Sequence, residues 1–246
     1  MATEMSREEL AELRVRLQER ARAIGARPSP VGMALKRAID LFGAVLGLLL
    51  LWPLLLLLVI LIRLESRGAA IFTQQRLGQW GRPFTLYKLR TMVQDAEHKG
   101  AGLAIERNDP RITRVGAILR KASLDEVPQL WNVLRGDMSF VGPRPLPVAY
   151  LDRWDERQQL RLAMPQGITG WSQVTMRNDG PWPERLEKDV EYLENWSLTS
   201  DARIFLTTLL KVFKRSGITT AEGAVQEFTG SESAASDPPE STGGDA

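Results

Sequence analysis

The uncharged stretch from Leu41 to Ile62 limits what this chain can become more than any other feature. Its 22 residues would form a helix of roughly 33 Å, against a bilayer hydrocarbon core of about 30 Å. The default expectation is one transmembrane helix. Two features favour another topology. Pro53, near the middle of the run, removes a hydrogen bond to the Leu49 carbonyl and favours a kink, at about 3 kcal/mol in an ordinary helix. The flanks are basic at both ends, Lys36 and Arg37 before and Arg63 and Arg67 after, whereas a spanning helix usually shows an asymmetry. Equal flanks fit a helix broken at Pro53 that enters and leaves by one leaflet. Proline is tolerated in membrane helices, so on the residues alone both topologies stay open. Gly43 and Gly47 form a small-residue pair of the helix-packing type.

The remainder divides around this run. Residues 1–30 carry Leu10, Leu13 and Leu17 at helical spacing, which predicts a short amphipathic helix ended by Pro28-Ser-Pro30. The charged stretch is too long and too mixed in sign for a signal peptide. Residues 31–66 form the membrane helix. Residues 67–217 form the polar body, opening with two strands around Gly78-Gln-Trp-Gly81 and closing with an amphipathic helix over 197–217. Residues 218–246 are an acidic Ser/Gly/Pro-rich tail expected to be disordered. The fold class expected is therefore α+β and helix-dominated, with a small hairpin and amphipathic helices around a polar core.

Charge and composition exclude several classes. Net charge is +2, but the segment from Thr229 to Ala246 holds four acids and no Lys or Arg, leaving +6 on the rest. A basic body suits anionic headgroups, nucleotide diphosphates or nucleic acid. Nucleic acid is disfavoured because basic and aromatic residues are not interleaved. There is no cysteine, so disulfides and thiolate metal sites are excluded. His98 is the only histidine and stands in a polar loop, a poor basis for a triad or a zinc site.

The chemistry gathers between Asn108 and Pro145, where Arg111, Arg114, Arg120, Lys121, Arg135 and Arg144 accompany the adjacent acids Asp125 and Glu126. Ser123-Leu-Asp-Glu126 reads most simply as a capping box, with Glu126 reaching back to the N-cap and Val127, Leu130 and Leu134 continuing a helix. The same geometry supports a reactive reading. A carboxylate in the first helical turn stays ionised and can attack phosphorus, while nearby cations neutralise a diphosphate.

These segments resemble the bacterial sugar transferases, small monotopic phosphoglycosyl transferases, from about Leu35 to Gly217. The resemblance rests on Lys36-Arg-Ala-Ile-Asp40, Phe72-Thr-Gln-Gln-Arg-Leu-Gly78 and Tyr87-Lys-Leu-Arg-Thr-Met92. It continues through Asp109–Gly116, Leu119–Asn132, Gly136–Pro145, Gly167–Trp171 and Asp189–Ser197. It implies a two-step displacement in which Asp125 attacks a UDP-sugar, UMP leaves, and undecaprenyl phosphate then takes the phosphosugar. It further implies Mg²⁺ held near Asp125, Glu126 as the second acid of a dyad, and a re-entrant helix turning at Pro53. The location implied is monotopic, on the cytoplasmic face of the bacterial inner membrane. A homodimer stays open as a further partner.

Substrate-binding candidates are Lys88, Arg90, Arg120, Arg144, Arg177 and Asp189. Lys88 and Arg90 could equally be structural cations on a strand. The Pro143-Arg144-Pro145 loop could be only a rigid turn, yet Arg144 suits bidentate phosphate binding. Asp189 could cap a helix. Two departures from the family pattern stand out: Gln166 separates Pro165 from Gly167, and Thr175-Met176 replace an amide and a glycine. A non-catalytic membrane scaffold is the rival reading, and the intact dyad argues against it.

Overall fold

The computed structural model describes residues 6–25, 28–96, 109–176 and 180–214. Helix α1 (Arg7–Ala23) starts at a capping box, in which the Glu9 amide donates to Ser6 Oγ and the Ser6 amide to Glu9 Oε2. Its buried stripe is Leu13, Leu17 and Ala21. Leu13 and Leu17 enter a core with Leu77, Leu146, Tyr150, Trp154 and Leu162. The N-terminal helix is thus part of the body.

Helix α2 (Pro30–Glu65) is capped by Ser29, whose Oγ accepts from the Gly32 amide at 2.9 Å. It is one helical element through Pro53; a proline inside a helix bends the axis without ending the helical run. Proline withdraws a single amide hydrogen, and the surrounding bonds carry the helix onward. Only 11% of its most apolar window is buried, so it is not the core helix of a water-soluble fold. Leu49, Leu50, Trp52, Leu56 and Leu57 are all exposed.

Both ends of α2 are nevertheless held by the same body. At the first end Lys36 Nζ donates to Asp201 at 2.6 Å and to the Val141 carbonyl at 2.8 Å. Arg37 donates to the Val133 and Leu134 carbonyls, and Asp40 accepts from Ser139 Oγ and the Phe140 amide at 3.0 Å. Gly43 and Gly47 lie where the body approaches most closely: a Cβ would come within 2.7 Å of the Phe140 ring and 2.9 Å of Leu130. At the other end Arg90 donates to the Arg67 and Ser66 carbonyls at 2.8 Å. Leu58 and Ile62 pack there with Ala70, Leu89 and Leu119.

Strands β1 (Ile71–Leu77) and β2 (Pro83–Leu89) form the expected hairpin, in register from Ile71↔Leu89 to Leu77↔Pro83. Next come α3 (Arg114–Lys121), a 3₁₀ turn over Leu124–Glu126 and α4 (Gln129–Arg135). Strand β3 (Met138–Val141) pairs in parallel with β4 (Gln166–Thr169), a pairing the sequence pattern did not announce. Between them lie two 3₁₀ segments (Val148–Arg153 and Leu160–Ala163) and the short α5 (Glu156–Gln159). The chain ends in α6 (Trp171–Thr175), α7 (Trp182–Glu194) and α8 (Leu198–Lys214). Helix α8 is tied to the body through Asp201, which also accepts from Tyr192 Oη at 2.6 Å. It exposes Leu206, Leu209 and Leu210. The expected acidic tail and His98 lie outside the described residues.

Candidate active site

The acidic pair sits in the connection between α3 and α4. Ser123 has φ 54°, the left-handed region, and its side chain caps nothing. The expected capping box is therefore absent, because an N-cap residue needs extended backbone to aim its oxygen at the following amides. Asp125 and Glu126 instead occupy the three-residue 3₁₀ turn, and α4 starts after Pro128. Leu124 packs against the buried group that includes Leu119 and Ile62, which fixes the turn against the end of α2.

The two carboxylates have different surroundings. Glu126 Oε1 accepts from Lys88 Nζ at 2.8 Å and from Arg144 Nη2 at 2.9 Å. Burial opposes its ionisation, but Lys88 and Arg144 prevail and hold its pKa at about 2. Asp125 has only a distant ion pair, 4.0 Å to Lys88. Burial raises its pKa; Lys88 counters this, the charge of Glu126 adds to it, and Arg120 and Arg144 relieve it. This corrects the expectation that a helix end would keep Asp125 readily ionised, since no helix begins beneath it. Neighbouring acids pushed apart in this way are a familiar means of assigning them different tasks.

The basic candidates divide into those that face the pair and those that do not. Lys88 projects from β2 onto both acids. Arg120 donates from Nε to Thr91 Oγ1 at 2.8 Å; burial lowers its pKa and the attraction of Asp125 opposes this. Arg90 is buried and spends its guanidinium on carbonyls at the end of α2. Arg177 lies outside the described residues.

Asp189 is buried within α7, so it neither starts a helix nor faces the acidic pair. It binds Arg161 at 2.7 Å and accepts from Ser172 Oγ at 2.7 Å. Arg161 in turn donates to the Arg144 carbonyl at 2.5 Å. Asp189 thus supports the Arg144 loop from behind. That loop is further pinned by the Gly167 amide, which donates to the Pro143 carbonyl at 2.9 Å.

Gln166 belongs to the same supporting layer. Its buried side chain donates to the Arg161 and Met164 carbonyls. Thr175 donates from its hydroxyl to the Trp171 carbonyl within α6.

A cavity of about 1440 Å³ opens over the acids. Its polar wall includes Lys88, Arg120, Asp125, Glu126 and Arg144, and its apolar wall takes Phe42, Leu46 and Leu50 from α2 and Phe205 and Leu209 from α8. Trp182 and Arg185 also line it. Sequence reasoning missed both; a Trp and an Arg three apart on one helix face was the only available signal. No group of three or more His, Cys, Asp or Glu residues able to hold a metal occurs among the described residues.

The chain that carries this site has relatives of known kind. Residues 31–215 match the family described as bacterial sugar transferase. The chain is 42% identical over 200 residues to the uncharacterized sugar transferase EpsL of Bacillus subtilis, covering 81% of this chain and 98% of the relative. It is 44% identical to a UDP-glucose:undecaprenyl-phosphate glucose-1-phosphate transferase of Caulobacter vibrioides, covering 71% and 68%. It is 39% identical to a UDP-N-acetylgalactosamine-undecaprenyl-phosphate N-acetylgalactosaminephosphotransferase of Aeromonas hydrophila, and there spans only 44% of the relative's length. Matches of this extent define a transferase. The chain belongs to the bacterial sugar transferase family and is an enzyme of that kind. Helix α1 lies outside the matched residues.

Proposed function

We propose that this enzyme transfers a sugar-1-phosphate from a UDP-sugar to undecaprenyl phosphate, by way of a phosphosugar held on Asp125 as an acyl phosphate. The observation that carries this reading is the inequality of the two acids. Glu126 is bonded to two cations, whereas Asp125 faces the cavity with no cation closer than 4.0 Å. Relatives named for undecaprenyl-phosphate sugar-phosphate transfer support the substrate classes.

In the first step an Asp125 oxygen attacks the sugar-side phosphorus. The bond from that phosphorus to the bridging oxygen breaks, and UMP leaves with the electron pair. In the second step an oxygen of undecaprenyl phosphate attacks the same phosphorus, and the Asp125 carboxylate is released. Arg120 and Arg144 stabilise the negative charge that builds on the phosphoryl oxygens. Glu126 orients Lys88 and Arg144 around the reacting carboxylate. Two adjacent carboxylates without a third fit Mg²⁺, which commonly takes one or two carboxylates and completes its shell with substrate phosphates and water. Asp125 would hold the ion, which supplies charge neutralisation to the diphosphate.

Helices α2 and α8 support a monotopic membrane arrangement. One body grips both ends of an apolar helix whose middle is bare, which supports entry and exit through a single leaflet at the cytoplasmic face of the inner membrane. The exposed leucines of α8 suit an interfacial helix that keeps the cavity at headgroup depth. The product would open the assembly of an exopolysaccharide or related glycan. The test is UMP release by purified protein supplied with a panel of UDP-sugars, Mg²⁺ and undecaprenyl phosphate. Release with at least one donor is expected, and none across the panel would overturn the reading.

A further inference from the structure

Arg185 stands out among the charged residues that line the cavity. Its guanidinium lies over the Trp182 ring, 4.4 Å from the centroid. The same indole meets Tyr150 edge-on, with centroids 6.1 Å apart, so the cation rests on an aromatic platform. Arg185 forms no salt bridge and no side-chain hydrogen bond among the described residues, whereas the nearby cations Arg144 and Arg161 are bonded to Glu126 and Asp189. It also sits in the first turn of α7, whose N-cap, Pro181, offers no side-chain acceptor. A helix start favours negative charge and disfavours a cation. Burial and then the repulsion of Arg144 pull the Arg185 pKa down to about 10. Positive charge is therefore in excess at this wall.

The charge relations give the wall a direction. The ionic neighbours of Asp125 are Lys88, Glu126, Arg120 and Arg144. Those of Arg185 are Arg144, Asp189 and Arg161. Arg144 is the member common to both sets. An anion between Asp125 and Arg144 and a second between Arg144 and Arg185 would satisfy the wall together, which is the pattern of a diphosphate and not of a phosphate monoester.

We infer that Arg185, held on Trp182, is the binding residue for the nucleotide-side phosphate of the donor, the phosphate that departs in UMP. This rests on the reading of Asp125 as the group that attacks the sugar-side phosphate. The apolar tail of the acceptor has no use for this corner, since undecaprenyl phosphate brings one phosphate, which must meet the same phosphorus that Asp125 carried.

The test is direct binding of UMP, and separately of undecaprenyl phosphate, to the full chain in lipid nanodiscs, comparing wild type with Arg185→Gln, Arg185→Lys and Asp125→Asn. Arg185→Gln is expected to weaken UMP binding at least tenfold, with at most a small fall in melting temperature and unchanged undecaprenyl phosphate binding. Arg185→Lys, which keeps the charge but loses the planar fork, is expected to fall between. Equal UMP binding by wild type and Arg185→Gln overturns the assignment, as does a loss confined to undecaprenyl phosphate. A loss of both ligands together with a lowered melting temperature marks a structural role and overturns it too. Asp125→Asn separates the two readings. Should that variant retain turnover while Arg185→Gln still loses UMP, the attacking role of Asp125 fails and the phosphate subsite stands.

Discussion

The layer behind the Arg144 loop and the cavity wall in front of it use the same residue types to opposite ends. Behind the loop, Arg161 and Asp189 meet at 2.7 Å with both side chains buried, and Ser172 and the Arg144 carbonyl take further bonds. In front, Asp125 has no partner nearer than 4.0 Å, and Arg185 rests on an indole face with no ion pair among the described residues. Matched charges there hold a loop in place. Unmatched charges line the cavity, while Glu126 beside Asp125 is tied to Lys88 and Arg144.

Substitutions on the two sides should therefore fail differently. Asp125→Asn should lower UMP release by at least about a thousandfold, since it removes the proposed nucleophile, while membrane association and melting stay as in wild type. Asp189→Ala strands the buried Arg161 charge and should cost about 3–5 kcal/mol of stability, read by chemical denaturation, with activity falling because the Arg144 loop loses its support. Equal stability of Asp189→Ala and wild type would break the contrast. Leu17→Ala removes a fully buried side chain of α1 and should cost about 2–5 kcal/mol, which places this helix on the scaffold side although it lies outside the family match. Arg185→Gln, on the ligand side, gives up the contact with the Trp182 ring and should cost about 0.5–1 kcal/mol.

The pH dependence sharpens the comparison further. Because the Asp125 pKa is raised from the ordinary 3.8, its charge is lost as pH falls through a higher value. The acid limb of UMP release should therefore have its midpoint above 3.8. Lys88→Met removes the strongest attraction that favours the charged form and should move that midpoint further upward. A midpoint unmoved by Lys88→Met would contradict the charge balance described for the pair.

What could be read from the sequence was what lies close together along it. The hairpin followed from alternating residues around Gly78–Gly81, and α1 and α8 followed from helical spacing. The dyad was visible as two adjacent acids within a basic stretch. The rest depended on distant partners. Strands β3 and β4 pair in parallel across the loop and 3₁₀ segments between them, and neither shows a long alternating pattern. Asp189 could not be recognised as the counter-ion of Arg161 because they stand 28 residues apart. The capping-box signature of Ser123–Glu126 misled because the local pattern does not encode the positive φ at Ser123. At Pro53 the helical run continues as one element. A single missing amide hydrogen does not stop a helix that has no water to compete for its remaining bonds.

Everything about the reaction depends on a bond between phosphorus and Asp125, and that bond can be sought directly. The protein would be mixed with a UDP-sugar labelled in its sugar-side phosphate, without acceptor, quenched, digested and mapped by mass spectrometry. The label is expected on the peptide that contains Asp125, in wild type and not in Asp125→Asn, and it should be discharged on adding undecaprenyl phosphate. Turnover with both substrates present, but with no label ever found on that peptide, would contradict the account.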